Sequence, residues 1–300
     1  MKILITGARG NFCSILIHLL AAEEHQLVLL DLEPMDAPEG SVSVQADIRD
    51  AGAVMHAMQG CEAVIHAVAY HGNMAASRNY DDYYGVNVTG THNVLRAMLI
   101  NGVRYLVFSS SEVVYGDGMR GRRVMDENVP CIPTHIYPLT KVLGEEMCRF
   151  YARKHAFHIA ILRYGCFVPA DWKVAGLGRL NNWLDAEDVA QANHLALGAV
   201  IAEEFSCEPF LIHCAKPFQD EDWPDLATNP APVIERYYPG AVELLARHGL
   251  TVPPILTRFD ISKASSMLGY EPQHNFDQFL ARLREEEAHH KEATTWNTAP

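Results

Sequence analysis

The chain has 300 residues, 49% of them hydrophobic, and its 37 Asp and Glu outnumber 24 Lys and Arg to leave a formal charge of −13. That size and balance describe a globular protein with ample core, and the acidity excludes a nucleic-acid-binding surface and docking on anionic membranes. Seven cysteines, none spaced C-x-x-C and several in apolar elements, predict reduced, buried thiols and a cytoplasmic location rather than a disulfide frame or a zinc knuckle.

Met1 leads straight into a strand over 3–6, so no signal peptide is expected, and no uncharged run approaches the ~20 residues that cross a bilayer. A glycine turn follows, then a helix over 12–23. Further strands are expected over 26–32, 42–48, 63–69, 105–110, 159–163 and 209–213, with helical patterns over 51–58, 80–101, 137–154 and 186–203 between them. Four of the strands are near-continuous apolar runs, as in a sheet covered on both faces. The alternation predicts an α/β fold with a doubly wound parallel sheet and ligands at the carboxyl ends of its strands.

The division expected along the chain is a dinucleotide-binding domain over 1–165, a short substrate loop over 166–182, and a returning helix and strand over 183–215. Proline and acidic residues then become frequent. This shift predicts a small C-terminal substrate-binding cap over 216–282 and a solvated tail over 283–300; Trp223, Tyr237 and Tyr238 either line a sugar pocket or, the favoured reading, fill the cap's core. No metal site is expected: His289 and His290 are adjacent on a charged helix, so their side chains diverge.

Gly7, Arg9, Gly10, Asn11 and Phe12 join the first strand to the first helix, where glycines let backbone approach a pyrophosphate and free N–H groups point at it. Asp31 follows Gly10 by 21 residues at the end of the second strand. Its carboxylate would accept from ribose hydroxyls and repel a 2′-phosphate, which favours NAD over NADP. Arg9 points the other way, since a guanidinium there could hold that phosphate. Cys13 stands where a third glycine would allow close helix–strand packing, so altered affinity is expected. Asp47 and Ile48 are placed to contact the adenine, and Ala67 and Ala69 to let backbone run close to the cofactor.

Tyr137 and Lys141 are four residues apart, hence on one helix face, and Pro138 fits only a first helical turn. A tyrosine with pKa ~10 is a poor base, and a neighbouring ammonium stabilises phenolate; a shift of ~3 units corresponds to roughly 4 kcal/mol, which requires Lys141 and a cationic nicotinamide together. Ser109, Ser110 and Ser111 close the strand of Leu106-Val107-Phe108, where one hydroxyl can hold a substrate oxygen as it becomes a carbonyl. Ser109 is expected on the cofactor side.

The stretches TGARGNF, LVLLDLE, ADIRD, VIHAVA, NVTGTHNVLRA, FSSSEVVYG, YPLTK, LRYG, WLDAEDVA and FDISKASSMLGYEP occur in order from the first residues to about 280. Together they resemble the extended short-chain dehydrogenase/reductase family, the NAD-dependent epimerase/dehydratase group. The resemblance implies a Rossmann domain with a small substrate region and a triad in which Ser111 polarises the reacting oxygen, Tyr137 transfers the proton, and Lys141 holds the nicotinamide ribose and tunes Tyr137. Asn87 would sit beside the cofactor. The family pairs the helices over 80–101 and 137–154 across a twofold axis, and Val94, Leu95, Met98, Leu99, Leu143, Met147 and Phe150 look surplus to one sheet face, so a homodimer is expected.

Only 17 residues separate LRYG from WLDAEDVA, where nucleotide-sugar epimerases carry a longer loop and an asparagine after the LRYG position. The short form resembles uronate dehydrogenases and related oxidoreductases of free sugars or sugar acids, and implies that Arg179 meets a substrate carboxylate. Those enzymes carry asparagine-histidine where Glu112-Val113 stands here. The leading expectation is thus an NAD-dependent dehydrogenase of a free sugar or sugar acid. The alternatives are a nucleotide-sugar epimerase or dehydratase with retained NAD, though no Asp-Glu pair follows the serines, and a silent NAD-binding scaffold or redox sensor suggested by Cys13.

Overall fold

The structure, a computed structural model, describes residues 1–74, 76–168 and 170–296, with side chains through residue 289. The tail residues 297–300 and the side chain of His290, both named above, lie outside the described residues. Seven parallel strands form one sheet in the order β3-β2-β1-β4-β5-β7-β8. They are β1 (Lys2–Thr6), β2 (Gln26–Asp31), β3 (Val42–Gln45), β4 (Ala63–His66), β5 (Tyr105–Ser111), β7 (His158–Tyr164) and β8 (Cys207–Ile212). The strand order reverses between β1 and β4, which leaves a crevice at their carboxyl ends. β6 (Val124–Met125) pairs with β9 (Arg258–Phe259) and ties the loop after β5 to the C-terminal region.

The apolar strands are buried on both faces, as their composition requires. Ile3 and Ile5 enter one core layer and Leu4 the other, all three without exposure. Each such side chain is worth about 1.5–3 kcal/mol of burial. One layer packs α1 (Cys13–Ala22), α7 (Ala186–Ile201) and α11 (Ser262–Leu268) on the sheet; the other packs α2 (Ala51–Ala57), α4 (Gly90–Asn101) and α5 (Ile136–His155). A separate core, with Leu180 and Ile255, joins α8 (Trp223–Thr228), α9 (Ala231–Tyr237), α10 (Ala241–Arg247) and α12 (Phe276–Trp296). Trp223 is buried there and Tyr237 and Tyr238 pack against it.

Four details depart from the expected elements. β3 ends at Gln45 and β4 at His66, three residues early in each case, because the chain leaves the ladder there to form cavity wall. The helix over 80–101 is interrupted by a π-helical turn, Tyr84–Thr89. No tail separates at 283: α12 runs through that point with Leu283 buried in the cap core, and Lys173 bonds Glu286 at 3.0 Å. Val94, Leu95 and Met98, counted above as surplus for a dimer, are fully buried in their own core; the exposed apolar side chains of these helices are Leu99, Ile100, Leu139 and Phe150. Among the described residues no helix is long and apolar enough to cross a membrane.

Candidate active site

β1 delivers the chain to Gly7, whose φ of +71° places it in the left-handed region. A Cβ there would lie 2.7 Å from the Val68 backbone, so only glycine lets the turn pass under the end of β4. The Gly10 N–H donates to the Gly7 carbonyl at 2.9 Å, and α1 then starts at Cys13. The Cys13 side chain is buried in the layer beneath the turn and lies off the cavity wall. Burial pushes its thiol up to about 12, so the sulfur is inert packing.

A cavity of about 660 Å³ runs along the strand ends from Asp31 to Asn182. Gly7, Arg9, Gly10, Asn11, Phe12 and Asp31 wall one end of it. Asp31 accepts from the Arg9 backbone N–H at 3.0 Å and from the Glu33 N–H at 3.4 Å. The Arg9 guanidinium turns away to the Pro34 carbonyl at 2.9 Å and Glu33 at 3.3 Å. Asp47 is gripped by Arg49 at 2.5–3.0 Å, bonds that hold its carboxyl below the usual range. Ile48, Ala67 and Ala69 complete this half of the wall.

The reaction centre follows where β5 meets α5. Tyr137 and Lys141 share a face of the first turns of α5 and line the cavity with Ser109 and Ser111. Lys141 Nζ donates to the Ser109 carbonyl at 2.6 Å and lies 5.3 Å from the centre of the Phe108 ring. Burial brings its pKa down to about 8. For Tyr137 burial wins in the opposite sense: it pushes the phenol up to about 12, and the Ser111 hydroxyl draws it back only in part. With the protein groups alone, burial outweighs the lowering.

Asn87 is a correction. It lies behind the wall, on the π-helical turn, where its amide donates to the Tyr70 carbonyl at 2.8 Å and to Thr140 Oγ1 at 2.9 Å while accepting from the Tyr70 N–H at 2.8 Å. Thr140 in turn donates to the Tyr137 carbonyl at 2.7 Å. Asn87 thus fixes the wall residue Tyr70 to the first turn of α5. Ser110 is also structural. It donates to Glu145 at 2.7 Å, and Glu145 forms a bidentate pair with the buried Arg163 at 2.7 and 2.9 Å. Burial raises the Glu145 carboxyl, but Arg163 and Ser110 outweigh it and hold it below its ordinary value.

Arg179 is the second correction. Its guanidinium is held by Asp185 at 2.7 Å and by the Asn275 carbonyl at 3.4 Å, and it lies off the cavity wall. Asp185 caps α7, so the arginine is consumed in joining that helix to the cap. The far end of the cavity is built instead from His71, Glu112, His135, Cys166 and Asn182 with Ser111 and Tyr137. Asn182 Nδ2 donates to Glu112 Oε1 at 2.5 Å. Glu112 and Asn182 lie 70 positions apart, and no spacing in the sequence marks the pair.

A model of the NAD dependent epimerase/dehydratase family matches residues 3–168. A uronate dehydrogenase of Pseudomonas putida is 28% identical over 192 residues, 63% of this chain and 69% of that protein. An L-arabinose 1-dehydrogenase (NAD(P)(+)) of Haloferax volcanii is 31% identical over 181 residues, 57% of this chain and 68% of that protein. Among solved structures, a short-chain dehydrogenase/reductase superfamily protein from Agrobacterium tumefaciens with bound NAD superposes with a TM-score of 0.72 at 22% identity, covering 98% of this chain and all of the other.

Proposed function

The chain belongs to the NAD-dependent epimerase/dehydratase family, and on that premise we propose that it is an NAD-dependent dehydrogenase oxidising a hydroxyl of a free sugar or sugar acid. What supports the reading is the meeting of Ser111, Tyr137 and Lys141 on the wall of the cavity that the Gly7 turn and Asp31 also line. The residues fit the dinucleotide: Gly7 leaves bare backbone where any Cβ would collide, and the Asp31 carboxylate faces the same cavity. Gly7, Gly10, Asn11 and Phe12 would hold its pyrophosphate, Asp31 the adenosine ribose, Asp47 and Ile48 the adenine, and Lys141 the nicotinamide ribose. NAD supplies the hydride acceptor.

The protein's own share of the chemistry is proton handling. Tyr137 accepts the proton of the substrate hydroxyl, and Ser111 donates a hydrogen bond to the oxygen as it becomes a carbonyl. The Lys141 ammonium offsets the negative charge that arrives on the phenol. The similarity to the Pseudomonas uronate dehydrogenase and the Haloferax L-arabinose 1-dehydrogenase adds weight, and the buried, inert Cys13 removes the motive for a silent redox scaffold. A homodimer through α4 and α5 completes the reading, with Ile100 60% and Phe150 51% exposed on those helices.

The test is a screen of free sugars and sugar acids with added NAD, followed by NADH absorbance. Turnover with freely exchanging NAD supports the dehydrogenase. NAD released in stoichiometric amount only on denaturation, with no net NADH, overturns it in favour of an epimerase that cycles hydride internally.

A further inference from the structure

We infer that the substrate end of the cavity selects a neutral polyhydroxyl ligand, a free aldose, and rejects its carboxylate counterpart, with Glu112 as the specificity-determining residue. The inference rests on the free-sugar dehydrogenase reading and narrows it. Glu112 directly follows Ser111 and lines the cavity while being only 5% exposed. Its Oε1 is pinned by Asn182 at 2.5 Å. Its Oε2 lies 3.2 Å from His213 Nε2 but off the line of a hydrogen bond, and both His213 ring nitrogens are without a hydrogen-bond partner. The His213 ring stacks on Phe259, with centroids 3.9 Å apart and planes 1° apart. Burial opposes a proton on that imidazole more strongly than Glu112 favours one, and the net direction is down.

No guanidinium or ammonium group on the described wall is free to offset this acid. The Arg and Lys lining the cavity are Arg9, Arg49 and Lys141. The first two are paired with Glu33 and Asp47 at the adenine end, and Lys141 donates to the Ser109 carbonyl. Arg179 is held by Asp185 off the wall. Lys216 acts on Glu112 from outside the cavity and is itself bonded to the Asn181 carbonyl. A ligand carboxylate entering beside Ser111 would meet a fixed acid with no guanidinium or ammonium to receive it, and like charges so juxtaposed cost several-fold to many-fold in affinity. Sugar hydroxyls meet no such penalty. The wall offers them Asn182, His71 and His135 as partners, and a spare lone pair on Glu112 Oε1.

The experiment compares matched pairs, D-glucose with D-glucuronate and D-galactose with D-galacturonate, together with L-arabinose. Binding is read by saturation-transfer NMR on the NAD-loaded protein, and turnover by NADH formation. The neutral member of a pair is expected to win at least tenfold in binding and in kcat/KM, and Glu112→Gln to narrow that ratio about tenfold, chiefly through a lower KM for the acid. A uronate that binds as well as its aldose, or a ratio unmoved by Glu112→Gln, overturns the inference, as does binding of no free sugar at all. Should the glutamine variant fail to fold, the wild-type pairs alone decide. Neutral preference in the NMR arm with no NADH from any sugar would uphold this selectivity and remove the dehydrogenase reading, so the two fail separately.

Discussion

The two ends of the cavity are built by different means. The Asp31 end of the wall is built on the sheet: the ends of β1, β2 and β4 lie side by side, and Gly7 packs against the Val68 main chain. At the Glu112 end the wall is side chains drawn from the end of β5, the start of α5, residues 165–168 and Asn182. Sheet geometry fixes the first end for any chain with the right turn. Only tertiary packing fixes the second, so it is the end free to change what it binds. Such a division of labour suits a scaffold that keeps one cofactor and varies its substrate.

The sharpest way to separate the two ends is to remove one oxygen between them. Tyr137→Phe should lower kcat by about a thousandfold, the usual worth of positioned acid–base catalysis, while NAD affinity measured by fluorescence titration stays unchanged. The pH profile carries the same information. Protein groups push the Tyr137 phenol up to about 12, so the base form is the minor one at neutral pH and grows as pH rises; oxidation should therefore accelerate with pH. Above about 8 Lys141 loses its proton and its support for the phenolate, so the rise should bend there. A phenylalanine variant that keeps most of the rate would show that the proton leaves by another route.

The same contrast explains what could be read from the residues in order. The sheet, its parallel sense and the cofactor turn were legible because they rest on local facts: unbroken apolar strands, glycines at a strand end, an acid at the next strand end, and Tyr137 and Lys141 one helical turn apart. The substrate end was not. Arg179 looked available, but Asp185, six residues on, claims it once α7 is capped. Asn87 looked like a cofactor contact, and the π-helical turn carries it behind the wall instead. The lowered Tyr137 was expected of Lys141 and a cationic nicotinamide together; with the protein groups alone, burial is the larger influence. The cap helices α8, α9 and α10 escaped notice because they are only six or seven residues long, and Pro224 and Pro232 stand in the first turns of α8 and α9, where proline is tolerated but reads as a loop signal.

Gly7→Ala tests whether backbone contact alone makes the cofactor end. Alanine at φ +71° costs about 1–2 kcal/mol, and its Cβ must move the Val68 main chain from 2.7 Å. The NAD dissociation constant should rise by about tenfold to a hundredfold by calorimetry, with the circular dichroism spectrum preserved. A value within twofold of the wild type would mean that side chains, not bare main chain, hold that end together.

The smallest expected effect discriminates most finely, because it concerns a single charge. Asparagine at position 31 keeps an oxygen for the Arg9 N–H, which now bonds the carboxylate at 3.0 Å, and removes only the negative charge that repels a 2′-phosphate. Asp31→Asn should therefore shift the NADP-to-NAD ratio of kcat/KM about tenfold toward NADP, close to 1.4 kcal/mol. Arg9 does not help the phosphate in that variant, since Glu33 and the Pro34 carbonyl still hold its guanidinium. That ion pair is exposed, 47% and 70% at its two side chains, so breaking it leaves stability almost unchanged. Adding Glu33→Gln should release Arg9 and carry the ratio a few-fold further. If neither variant moves the ratio, Asp31 does not face the adenosine ribose, and the assignment of the two cavity ends must be exchanged.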